Sequence, residues 1–201
     1  MLWGVKWYLW ALLAVLIIVA VFAWSKALKA SRERRERLRK EAEIWRRDYE
    51  LRQNYKTLTD EIIENADKNE LLHGVAMNIQ VALENEQNMD EAFKNLPKEK
   101  QFVYTLEYFD EDSKKSLSEF FKNNGEPLLS LASPALSSLG LTDISILVSE
   151  LYPMYDENSS ISIDREKIKI CDEKFTAIYN SEELLFKAAD YIKQNKEIFL
   201  K

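Results

Sequence analysis

Three observations predict an all-α chain in three parts: one uncharged apolar run near the start, a charged segment built from strong helix formers, and a body whose apolar residues recur every three or four positions. The parts expected are a single transmembrane helix (1–25), a basic juxtamembrane helical stalk (26–55) and an acidic multi-helix globular domain (56–201). A chain of 201 residues has room for one ordinary domain and such an appendage.

The apolar run is "WYLWALLAVLIIVAVFAW", Trp7 to Trp24, 18 residues without a charge. At about 1.5 Å per residue it makes a rod of about 27 Å, against about 30 Å of bilayer hydrocarbon. Trp3, Trp7 and Trp10 at one end and Trp24 at the other sit where interfacial aromatic belts sit. A cleaved signal peptide would want a basic start, an apolar stretch of about 7–15 residues and a small-x-small cleavage site. Here Lys6 alone precedes a longer core, and "AWSKALKA" leads straight into dense positive charge. Lys6, Lys26, Lys29, Arg32, Arg34 and Arg35 complete the expected membrane-interface set, with the lipid bilayer as their partner. From Lys26 to Arg47 ten basic residues stand against four Glu, so the positive-inside rule puts the N-terminus outside the inner (plasma) membrane and the remainder in the cytoplasm. The lone Cys171 excludes an internal disulfide and fits a reducing compartment.

Charge divides the chain again. Of 28 basic and 34 acidic residues, 11 and 6 lie in the first fifty, which leaves 17 and 28 beyond and a balance of −11 there. "SKALKASRERRERLRKEAEIWRR" has no Gly or Pro, and Glu33 with Arg37 and Glu36 with Lys40 are oriented i,i+4 pairs. Its basic side chains suit an anionic leaflet, and equally a solvated stalk. Direct nucleic-acid binding is not expected, because the acidic body would repel a polyanion.

The body reads as helix after helix. Thr57 or Thr59 caps "DEIIENAD", and "DKNE" at 67–70 has the form of a capping box. Leu71, Leu72, Val75, Met77, Ile79 and Leu83 then supply one apolar face, and Phe102, Val103, Leu106 and Phe109 another after Pro97. Ser113 or Ser116 caps "KSLSEFFKNN", with Leu117, Phe120 and Phe121 inward and Gly125 at a left-handed C′ position. Pro127 opens the next helix, Pro134 should kink or break it, and Gly140 should end it. Thr142 caps a helix that stops near Pro153. In "DENSSISIDREKIKI" the "ISI" and "IKI" triplets could pair as short strands or belong to a loop. Ser181 caps the closing helix, whose inward residues are Leu184, Leu185, Ala188, Tyr191 and Ile192.

The chemistry that is missing narrows the function. With His73 as the single histidine, neither a multi-histidine metal site nor a zincin motif can form, and His73 reads as a packed or surface residue. No G-x-x-x-x-G-K-[ST], G-x-G-x-x-G or G-x-S-x-G occurs. The dense acids "DED" at 110–112 and "DEN" at 156–158 lack the layout of an EF-hand loop. No catalytic residue, cofactor, metal or small-molecule substrate is expected.

The order "LLHGVAMNIQVAL", "LPKEKQFVYTLEYF", "SEFFKNNGEPLLSLASPALSSLG", "ISILVSELYPMY", "CDEKFTAIYN", "YIKQNKEIF" resembles the bacterial DNA-mimic-protein family of acidic helical domains, over roughly residues 68–199. Phe120, Phe121, Asn123 and Gly125 match best, with the "DEKFTAIYN" and "YIKQNKEIF" ending. In that family "FF-x-N-x-G" follows an Asn-Gly-Gly-Phe element, and this chain reads "SKKSL" there, Ser113–Leu117. The resemblance implies an all-α fold and, for its named member, occupation of a basic DNA-binding regulator by carboxylates spaced like phosphates.

The expected function is a membrane-tethered, non-catalytic protein-interaction module on the cytosolic side. Its candidate partner-binding residues are Asp110, Glu111, Asp112, Glu119, Phe120, Phe121, Asn123 and Gly125. DNA mimicry, or an immunity-type binder, is the alternative.

Overall fold

In the computed structural model the described residues are 7–156 and 158–200. Their regular elements are α1 (Trp7–Asn54), α2 (Asp60–Asn65), α3 (Lys68–Glu84), α4 (Met89–Lys94), α5 (Lys98–Ser113), α6 (Leu117–Asn123), α7 (Leu128–Ser138), α8 (Thr142–Leu151), a 3₁₀ turn (Tyr152–Met154), α9 (Arg165–Ile178), α10 (Ser181–Gln194) and α11 (Lys196–Phe199). No strand occurs among the described residues. The "ISI" triplet is irregular and exposed, and "IKI" lies inside α9, so the strand option fails; one apolar triplet has no second strand to satisfy its backbone.

The chain divides into two compact units, Met1–Glu50 and Leu51–Lys201. In the first, Arg46 and Glu50 pair at 3.7 Å across one turn. Among the described residues no helix is long and apolar enough to cross a membrane. That finding overturns the single-pass anchor, the N-outside topology and the inner-membrane location expected from Trp7–Trp24. The uncharged run is about 27 Å long against about 30 Å of hydrocarbon, and the helix that contains it carries on through the charged sequence to Asn54. Of the expected membrane-interface residues, Trp3 and Lys6 lie outside the described residues and Trp7 opens α1. Trp10, Trp24, Lys26, Lys29, Arg32, Arg34 and Arg35 are exposed along it.

The second unit is organised around α5, which packs against α3, α6, α7, α10 and α11. α10 also packs on α3, α7 on α8, and α9 on both α6 and α8. The reason is periodicity: every apolar residue predicted to face inward on α3 and α5 is buried. Leu184, Ala188 and Ile192 of α10 are buried, while Leu185 and Tyr191 pack against the core edge. Leu51 and Tyr55 enter the same core, and Asn78 Nδ2 holds the chain there by donating to the Tyr55 and Lys56 carbonyls at 2.8 and 3.1 Å.

The helix ends show which local signals hold. Thr59 Oγ1 accepts from Ile62 N at 3.2 Å, and Asp67 Oδ1 accepts from Asn69 N at 2.9 Å. Asp164 and Asn180 cap α9 and α10. Ser181, expected as a cap, is instead the first helical residue behind Asn180, and Thr142 likewise stands inside α8 behind Leu141. α7 runs through Pro134 without breaking: the lost bond frees one carbonyl, on the exposed Ser130. Its end is a full Schellman closure, with Gly140 at φ 71°, Gly140 N donating to Ser137 O and Leu141 N to Leu136 O, both at 3.0 Å. Gly125 occupies the corresponding place after α6 without a positive φ, so the left-handed turn expected there is absent.

Candidate functional site

The acidic and aromatic residues singled out from the sequence do not form one surface. Asp110 is buried, accepting from Tyr179 Oη at 2.5 Å and Ser181 Oγ at 2.6 Å. Burial and the Asp110 charge together hold the Tyr179 phenol far above its usual range. Asp112 accepts from Asn123 Nδ2 at 2.9 Å and Asn124 Nδ2 at 2.7 Å, which ties the end of α5 to the end of α6. Phe120 and Phe121 are core: Phe120 meets Phe109 edge-on at 5.1 Å, and Phe121 stacks on Tyr155 at 4.9 Å. Glu119 pairs with Lys122 at 2.9 Å, and Gly125 is exposed. The stretch "FFKNNGE" is thus a helix end that fastens three elements.

Beside it lies an open groove of about 920 Å³ between α6 and α9. Its geometry starts from one carboxylate. Ser116 heads α6 without a side-chain capping bond, its hydroxyl meeting Ser118 Oγ instead, so the helix's first N–H groups lack a side-chain acceptor from their own N-cap. Asp172, from the middle of α9, supplies it: Ser118 N and Ser118 Oγ donate to its two oxygens at 2.8 and 2.7 Å. This cap in trans fixes α9 against α6 and sets the spacing of the groove walls.

Tyr155, Ile163, Ile168 and Ala177 give the groove an apolar surface, and Ile163 is 61% exposed. Lys115, Lys122, Arg165 and Lys169 give it four cations against Asp172 and Glu173. Lys122 is paired with Glu119, and Lys169 with Glu173 at 3.8 Å. Lys115 and Arg165 have no ion-pair partner among the described residues. In a unit with a balance of −11 this is a local reversal of sign. Exposed cations flanking apolar side chains can take a carboxylate-bearing segment together with one of its apolar residues.

A second cluster bridges α3 and α5. His73 Nδ1 bonds Glu107 Oε1, and Glu111 stands one turn further along α5. One donor atom from each of His73, Glu107 and Glu111 lies within 4.8 Å of the others, His73 and Glu107 half-buried and Glu111 exposed. Loss of surrounding water, and then the Glu107 charge, hold the Glu111 carboxyl above its usual range. Cys171 offers no comparable reactivity: burial and the nearby Glu150 push its thiol up, which keeps it protonated.

No family model matches the chain, and neither a curated protein nor a solved structure does.

Sequence reading missed the groove and the role of Glu107. The four groove cations are spread from Lys115 to Lys169 and meet only through the fold. Asp110 did carry a signal, since Leu106, Asp110 and Ser113 share one helical face, and all three are buried.

Proposed function

We propose that Leu51–Lys201 is a protein-interaction module that binds an acidic segment of a partner protein in the groove between α6 and α9. The observation that carries this reading is the juxtaposition of unpaired Lys115 and Arg165 with apolar surface at exposed Ile163 and half-buried Ile168, in a unit that is otherwise strongly acidic. Apolar contact would supply affinity, and the cations would supply orientation and rate of encounter. Binding rather than catalysis is favoured because the hydroxyl and carboxylate that meet in the groove, Ser118 and Asp172, are engaged in capping α6. The groove is opposite in sign to the face that DNA mimicry would use, and the acids Asp110 and Asp112 are occupied in holding helices together.

Peptide-display selection against the full chain tests the reading. Acidic sequences that contain an aliphatic or aromatic residue should be enriched, and the double variant Lys115→Glu with Arg165→Glu should bind them about tenfold or more weakly. Affinity should also fall as salt rises. Enrichment of basic peptides, or undiminished binding by the double variant, would refute the groove as the binding face.

A further inference from the structure

We propose that His73, Glu107 and Glu111 form a binding site for one divalent transition-metal ion, of the zinc type, between α3 and α5. The three donor atoms already lie within 4.8 Å of one another. Zinc bonds of about 2.0–2.2 Å in a tetrahedron place donors about 3.4 Å apart, so closure needs side-chain rotation and no movement of either helix. Glu107 and Glu111 are i,i+4 on α5 and therefore project from one face, towards the turn of α3 that carries His73. The helices are held together independently of the site, through Leu72, Val75, Val103 and Leu106, all fully buried.

The electrostatics point the same way. Two carboxylates one turn apart on the same helix face repel. A divalent cation between them removes that repulsion. The donor set also selects among ions. One imidazole nitrogen with two carboxylates suits zinc, cobalt or nickel; calcium and magnesium prefer shells made wholly of oxygen. Because Glu111 is exposed, the ion has an entry path and room for one or two water ligands, the arrangement of an open rather than a closed zinc site. To ligate, Nδ1 must be unprotonated; the proton it shares with Glu107 moves to solvent or to the other ring nitrogen as the ion enters.

The test is calorimetric titration of Zn²⁺ into the metal-stripped full chain, with Co²⁺ as a spectroscopic probe. One ion per chain should bind with a micromolar or lower Kd, raise the Tm, and give Co²⁺ visible d–d bands of a four- or five-coordinate site. Glu111→Gln, an exposed change that leaves the core untouched, should weaken binding about tenfold or more, and His73→Gln should also abolish the Co²⁺ bands. Asp143→Asn, on α8 and outside the cluster, should bind as the parent does. Absence of stoichiometric binding, or affinity equal to the parent's in Glu111→Gln and His73→Gln, overturns the site. Equal loss in Asp143→Asn also overturns it, by showing that the ion is held by surface charge in general.

Discussion

The ring of Tyr55 lies against the backbone of Gly74: a Cβ placed on Gly74 would sit 2.5 Å from Tyr55 Cδ1, Cδ2 and Cε2. Three ring atoms at one distance mean that the face of the ring covers the glycine. Tyr55 is 5% exposed, so the ring has little space into which to withdraw.

Gly74→Ala is therefore expected to destabilise the protein, although alanine is the better helix former by about 1 kcal/mol. Overpacking of this kind costs about 1–3 kcal/mol, so after that gain the net loss should reach up to about 2 kcal/mol in urea unfolding. Tyr55→Ala should cost more by itself, because it empties the site. The double variant should lose less than the two single losses added together, since the clash has gone. A stabilised Gly74→Ala protein would show that the ring yields freely.

The second prediction concerns Asp110. Its Oδ1 accepts both the Tyr179 and the Ser181 hydroxyls, and Lys114 Nζ stands 4.0 Å from Oδ2. Asp110→Ala leaves two hydroxyls without their acceptor and should cost about 3 kcal/mol; Asp110→Asn keeps an oxygen in place and should cost less. The phenol offers a second readout. Asp110 is one of the groups that push the Tyr179 pKa up, so Asp110→Asn should shift its ultraviolet titration to lower pH. Unchanged stability and titration in Asp110→Ala would contradict this assignment.

What could be foreseen here follows the range of each signal. Helical stripes are set by neighbours within four positions, so the inward faces of α3 and α5 were legible down to single residues. Caps were legible to within one position. In "NS" the asparagine takes the cap expected of the serine, and in "LT" the helix begins at the threonine, behind a Leu141 that makes no side-chain capping bond. Gly140 was read correctly because a Schellman closure is local, whereas Gly125 met a chain that turns without positive φ. The groove and the His73 cluster were not legible for the opposite reason. Ser118 and Asp172 are 54 positions apart, and His73 and Glu107 are 34 apart. An anchor was expected at Trp7–Trp24 from an uncharged run of about 27 Å, its flanking tryptophans and the basic residues behind it, and among the described residues no helix is long and apolar enough to cross a membrane.

The third prediction separates stability from binding at one residue. Asp172 both caps α6 and lines the groove. Asp172→Asn keeps an acceptor oxygen for Ser118 N but loses the charge, so stability should fall by about 1 kcal/mol in urea unfolding. Removing a negative charge from a basic groove should at the same time tighten the binding of an acidic peptide at low salt. Weaker binding by a folded Asp172→Asn protein would mean that the carboxylate itself contacts the ligand.

The last prediction is a pH window. Tyr152 Oη donates to Glu126 Oε1 at 2.8 Å, and Ser130 Oγ donates to the other oxygen of the same carboxylate at 2.5 Å. That hydrogen bond, followed by loss of water and the Glu126 charge, pushes the phenol from its ordinary value of 10.0 up to about 12. A phenol is neutral when protonated, so a raised pKa means that the folded state holds its proton more tightly than the unfolded chain does. The stabilisation is therefore complete below pH 10 and is lost as the pH climbs through about 12. The absorbance difference between the parent and Tyr152→Phe should titrate near the upper value. The urea midpoint of Tyr152→Phe should fall less steeply than that of the parent across the same interval. Glu126→Gln removes the charge but can still accept the phenol's proton, so its Tyr152 should titrate between the two values. A parent-minus-variant difference centred at the ordinary phenol value would mean that the bond does not hold the 3₁₀ turn to the start of α7 in solution.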